Sequence, residues 1–159
     1  MKTLLLLLAL SFTAAANVPR YLQTEWVLYR DAQTPLQGSP SGQWGWPGAA
    51  FSASTFQLYS NLGLALNTCR WAYSLNPDTG PSPTGIRLVT YDAGVVNELA
   101  RVLIANRTTP TSGGHDLTAQ LKALVAAGRA TTIAMQTVGN GLTGPKVYHS
   151  VVECSWFLP

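Results

Sequence analysis

Apolar and polar residues alternate along much of this chain, and the period is two far more often than 3.6. Leu22, Trp26 and Leu28 alternate with Gln23, Glu25 and Tyr29, the pattern of a half-buried strand. Cys69, Trp71 and Tyr73 alternate with Thr68, Arg70, Ala72 and Ser74. Residues 86–91 are rich in β-formers. Val95 to Ile104 mixes apolar residues with Asn97, Glu98 and Arg101. Residues 131–138 are Thr-rich and strand-like. Near the end, Tyr148, Val152, Cys154 and Trp156 fall on one face of a strand, with His149, Glu153 and Ser155 on the other. The stretch Phe51 to Leu66 fits either period and is assigned as strand. One segment has a helical period: Leu117, Leu121, Leu124 and Val125, with Asp116 as the N-cap and Gly128 just past the end. Loops dense in Gly, Pro and polar residues fill 31–54, 76–84 and 106–114. The expected fold is therefore all-β, an antiparallel β-sandwich of jelly-roll type with one short amphipathic helix over about 116–127.

The N-terminus changes where this domain is expected to work. Lys2 precedes an unbroken apolar run from Leu4 to Leu10, and Ala14 and Ala16 take the −3 and −1 places of a small-residue cleavage site. That is the three-part pattern of a secretory signal. The run is well short of the roughly 20 apolar residues a bilayer span needs. The expectation is a signal peptide over 1–16, a single domain over 17–159, and a secreted protein, extracellular or periplasmic, not inserted in a membrane. In an oxidising compartment the two cysteines, Cys69 and Cys154, read as a disulfide. Closing so long a loop contributes roughly 4–5 kcal/mol in the chain-entropy model. Asn106-Arg107-Thr108 is an N-glycosylation sequon, relevant if the source is eukaryotic.

Only 11% of residues are charged, with ten basic against seven acidic, and Lys2 belongs to the leader. So small and scattered an excess lacks the electrostatic footprint of a nucleic-acid binder. Hydrolase chemistry finds little support. No Gly-x-Ser-x-Gly elbow occurs, and His115 and His149 are the only imidazoles. His149 and Ser150 are strand neighbours and point to opposite faces, while His115 reads as part of a helix-entry turn. A glycosidase needs two acids across a cleft, and seven are available: Glu25, Asp31, Asp78, Asp92, Glu98, Asp116 and Glu153. No cofactor is implied. A structural calcium ion held by loop carbonyls with Asp92 or Asp78 is compatible with the sequence.

The run His115-Asp116-Leu117-Thr118, followed by a short helix, Gly128 and a Thr/Ile-rich strand, resembles an element of jelly-roll carbohydrate-binding (galactose-binding-like) domains. The resemblance covers 114–138 and implies fold, since those residues are structural in that family. Chemistry is suggested instead by Trp44 and Trp46, two large rings in a Gly/Pro-rich loop. They either fold over the sandwich end as a lid or meet a ligand. Gln43, Asp92 and Asn97 are the amide and acid groups expected beside them. Trp26, Trp71 and Trp156 are expected in the core. The functional expectation is a non-catalytic binding module, for a glycan first. A structural or interaction subunit of an extracellular or viral assembly, bound through a protein surface or another copy, comes second. A carboxylate-dependent glycosidase is third.

Overall fold

Eight strands pair into two four-stranded sheets in a computed structural model that describes residues 21–30, 43–46, 50–76, 84–104, 110–128, 131–138 and 146–158. The strands are β1 (Tyr21–Arg30), β2 (Ala50–Ser52), β3 (Ala65–Asn76), β4 (Thr84–Asp92), β5 (Val95–Ile104), β6 (Thr111–Asp116), β7 (Thr132–Val138) and β8 (Lys146–Phe157). The helices are α1 (Ser54–Asn61) and α2 (Thr118–Ala126). The expected signal peptide over 1–16, the Asn106 sequon, Asp31 and Asp78 lie outside the described residues.

One sheet has the order β1-β8-β3-β6 and the other β2-β7-β4-β5. The antiparallel pairs β1 with β8, β2 with β7, β3 with β6 and β4 with β5 are those of one long hairpin. Rolling that hairpin up brings β3 against β8 and β4 against β7. The result is the expected jelly roll. Alternation along each strand then turns one face inward. Trp71, Trp156, Leu75, Val152 and Val147 from the first sheet meet Ile86, Leu88, Ile133 and Met135 from the second. Fully burying one such side chain stabilises the fold by about 1.5–3 kcal/mol. Trp71 and Trp156 are fully buried, as expected. Their indole N–H groups donate to the Ser150 hydroxyl and the Thr24 hydroxyl, each at 3.0 Å. Trp26 is only half-buried; its ring lies 4.6 Å from Phe56 and 5.6 Å from Phe51.

Four expectations change. Residues 54–61 form a helix where a strand was expected. Ser52 Oγ accepts the Ser54 N–H at its start, and Gly63, at φ +80°, ends it in a Schellman turn. In that turn Leu64 N–H reaches Tyr59 C=O and Gly63 N–H reaches Ser60 C=O. The segment expected as loop up to residue 114 contains β6, whose glycines make room for neighbours on opposite faces. Tyr73 lies where a Cβ on Gly113 would sit, and the Arg70 guanidinium where one on Gly114 would sit. His115, expected in a helix-entry turn, lies within this strand and pairs with Trp71. Tyr148 is 40% exposed and leaves the core face, while its neighbour Val147 is fully buried there; the register between β3 and β8 shifts at Ser74/Leu75.

The expected helix is present over Thr118–Ala126, but its N-cap is Leu117 and not Asp116, which lies in the turn before it. Asp116 Oδ1 accepts the Thr118 N–H at 2.8 Å, and Gly128, at φ +65°, closes the far end. Gln57 of α1 donates to Val125 C=O at 2.7 Å, joining the Gly128 N–H that the same carbonyl accepts at 3.1 Å at the end of α2.

Cys69 and Cys154 face each other in register on β3 and β8 and are joined by a disulfide closing 85 residues. They are 1% and 3% exposed. Replacing both by alanine is expected to lower the unfolding free energy by about 3–5 kcal/mol, read from urea unfolding of the two proteins. An unchanged midpoint, or two alkylatable thiols in denatured unreduced protein, would contradict the bond's role.

Candidate functional site

The loop carrying the two tryptophans lies against the outer face of the β2-β7-β4-β5 sheet, not over the sandwich end. Gly45 pairs with Thr137 of β7 through two backbone bonds, N–H to C=O at 2.7 Å one way and 3.0 Å the other. In an extended segment the residues on either side of Gly45 point to the same face. Trp44 is half-buried there, with the Arg87 guanidinium carbon 4.5 Å from its ring centre. Arg87 is held from two further directions. Its Nε donates to Gln136 Oε1 at 2.7 Å and one terminal nitrogen to Glu98 Oε2 at 3.2 Å. Glu98 in turn pairs with Arg101 at 2.8 Å.

Trp46 is placed differently. It is 51% exposed, and its ring stands edge-on to Tyr91 of β4 at 5.6 Å. Tyr91 is 43% exposed and pairs in register with Val96 of β5. The two rings and Val96 make an open aromatic and aliphatic patch. Gln43 is exposed on the same loop. Asp92 and Asn97 belong to the same β4–β5 hairpin, at positions alternate to Tyr91 and Val96, with Asp92 half-buried and Asn97 exposed. Tyr91 was not singled out from the sequence. Its signal was only an aromatic within a strand, and its nearness to Trp46 needs the loop docking to be visible.

The acids also sort themselves. Glu25 of β1, Glu153 of β8, Arg70 of β3 and Asp116 of β6 fall in one row across the outer face of the other sheet, paired in register strand by strand. They line an open groove of about 910 Å³. The carboxylates stand side by side on one sheet face rather than opposed across a cleft. Asp116 is held below the ordinary carboxylate range, first by the Thr118 hydroxyl and then by the Thr118 N–H, with Lys122 adding to the effect. A carboxyl kept ionised in this way is a poor general acid. Ser150 is buried and accepts from Trp71, and the His115 ring is stacked against Trp71 and Tyr73 at 5.8 and 5.7 Å. Among the described residues no group of three or more His, Cys, Asp or Glu side chains is placed to hold a metal ion. No helix among them is long and apolar enough to cross a membrane.

The chain matches no protein-family model, and no curated protein is significantly similar to it.

Two outcomes follow from this geometry. Trp44→Ala removes a ring packed on a guanidinium and is expected to cost about 1–2 kcal/mol of stability. Trp46→Ala is expected to leave the melting temperature nearly unchanged. Equal losses for both in thermal melts would contradict their different settings. Separately, the depressed pKa of Asp116 contributes stability that is complete above its ordinary value of 3.8 and fades as the pH falls below it. Asp116→Asn is expected to flatten that acid limb in melts recorded against pH. An unaltered limb would remove Asp116 from the account.

Proposed function

We propose that this protein is a secreted, non-catalytic module that binds a glycan, with Trp46 and Tyr91 as its stacking surface. The observation that carries the reading is the half-exposed Trp46 ring set against a half-exposed Tyr91 on a rigid β-scaffold. Aromatic faces offer the apolar CH groups of a sugar ring a flat partner at little rotamer cost. Loops on sandwiches carry such contacts more often than strand interiors do. Asp92 and Asn97 alternate with Tyr91 and Val96 and so turn to the other face, which leaves Gln43, exposed on the same loop, as the polar group for sugar hydroxyls, while Trp44 holds the loop in place through Arg87. A secretory leader and a disulfide agree with an extracellular or periplasmic setting.

A shallow stacking site binds weakly, and dissociation constants in the micromolar to millimolar range are expected, roughly 4–8 kcal/mol. The test is a glycan array on the purified mature protein, followed by titration of Trp46→Ala and Tyr91→Ala. Each substitution is expected to weaken binding at least tenfold, about 1.4 kcal/mol, with the melting temperature kept. Binding that survives both substitutions would end this assignment of the surface.

A second reading rests on β5, which ends its sheet and exposes Val95, Val96 and Leu103. An exposed apolar edge strand is a template for pairing with another chain, as a subunit of an assembly would need. A mass in solution that rises with concentration would favour it; a constant monomer mass would count against it.

A further inference from the structure

We infer that the groove on the outer face of the β1-β8-β3-β6 sheet is a second carbohydrate subsite, occupied by an uncharged polyhydroxylated chain laid across the strands. The inference rests on the glycan-binding reading above and extends it to a surface that reading does not use.

The groove's chemistry is set by strand pairing. Arg70 faces Glu153 on one side and Asp116 on the other, in register. Oppositely charged cross-strand neighbours ordinarily close into ion pairs. Here, among the described residues, no ion pair joins Arg70 to either acid. The guanidinium instead lies flat over Gly114, occupying the space a Cβ would need. That leaves a planar array of donors between two acceptor carboxylates, all facing solvent in a groove of about 910 Å³. The adjoining row repeats the pattern with neutral groups. Gln23, Ser155 and Thr68 pair across three strands, the last two bonded hydroxyl to hydroxyl at 2.7 Å.

Three features select the occupant. Across β8, β3 and β6 an acceptor, a donor and an acceptor follow one another, which suits vicinal hydroxyls and ring oxygens, groups that both donate and accept. Arg70 stands between the carboxylates of Glu153 and Asp116, so a polyanion approaching it meets a like charge on either side, which disfavours a uronate polymer. Adjacent strands are about 4.8 Å apart, close to the length of one hexose unit in an extended chain. A glycan crossing the strands would therefore offer successive sugars to Glu153, Arg70 and Asp116.

The test compares wild type, Trp46→Ala, Arg70→Gln, Glu153→Gln and Gly114→Ala, with the disulfide intact, by affinity electrophoresis in a soluble neutral hexose polymer and in a soluble uronate polymer. Gly114→Ala is the discriminating variant. Its methyl displaces the movable end of Arg70 without touching the backbone of another strand, and alanine suits a strand better than glycine. The three groove variants are each expected to weaken retardation by the neutral polymer about tenfold, with melting temperatures at or above wild type for Gly114→Ala. Retardation by the uronate polymer is expected to be weaker than by the neutral one. If Trp46→Ala loses binding while the groove variants keep it, the groove assignment falls and the aromatic site stands. Stronger retention of the uronate polymer would also overturn the groove assignment. Wild type retarded by neither polymer would overturn both.

Discussion

Cys69 is the point at which the first sheet is locked. Its sulfur is bonded to Cys154, the residue directly across on the neighbouring central strand. Its backbone is engaged on the other side, where β6 leaves the sheet. The Cys69 N–H donates to the Thr118 hydroxyl at 2.9 Å, and the Cys69 C=O accepts the Leu117 N–H at 2.9 Å. Leu117 is fully buried, and Asp116 holds Thr118 through the same turn. One residue thus ties together β8, β3 and the entry to α2. The consequence for the surface is direct. Arg70, Glu153 and Asp116 each sit one position from a member of this knot, and alternation turns them to the opposite face. Whatever fixes the knot fixes the spacing of the charged row above it.

The two outer faces of the sandwich have been finished in different ways. On the second sheet, Arg87 is satisfied by Gln136, Glu98 and the Trp44 ring, and the loop around Gly45 is stitched to the edge of β7. That arginine is structural, because each of its contacts holds an element of the fold. On the first sheet, Arg70 occupies an equivalent outward position on a central strand, yet its guanidinium rests on a glycine and closes no ion pair among the described residues. An exposed pair contributes little to stability, so the fold gives up little by leaving it open. The contrast separates an arginine built into the fold from one that is still available.

Much of this architecture is legible in the chain. Period-two alternation identifies β1, β3 and β8, which bury one face against the opposite sheet, while β4 and β7, buried on both faces, and the mixed run of β5 are legible from their β-forming residues. The pair of cysteines on apolar faces and the helix that ends before Gly128 are legible as well. The misses have specific causes. β6 reads as loop because Gly113 and Gly114 carry no side chains, and their role emerges only when Tyr73 and Arg70 are seen lying over them. β2 is three residues long and shows no period. α1 was hidden by a stretch whose apolar spacing suits both periods, although Gly63 was present as a stop signal. The charged row was beyond reach, since residues 25, 70, 116 and 153 become neighbours only through the rolled-up strand order.

The placement of the two candidate surfaces has an energetic consequence. Trp46 and Tyr91 lie outside one sheet, and Arg70 and Glu153 outside the other. Two packed sheets, about 10 Å apart, stand between them, with a core of close-packed side chains in that gap. No short oligosaccharide can touch both. Their contributions to binding a short ligand are therefore independent, and substitutions on one face should add to those on the other without coupling. A long polysaccharide differs, because one chain, or two neighbouring chains of an insoluble polymer, can engage both faces at once. Engagement of the second face is then intramolecular, so overall affinity exceeds that of either site without any new contact. On the proposed reading, two weak surfaces on opposite faces of a disulfide-locked sandwich would suit retention on a polymer better than capture of a free sugar.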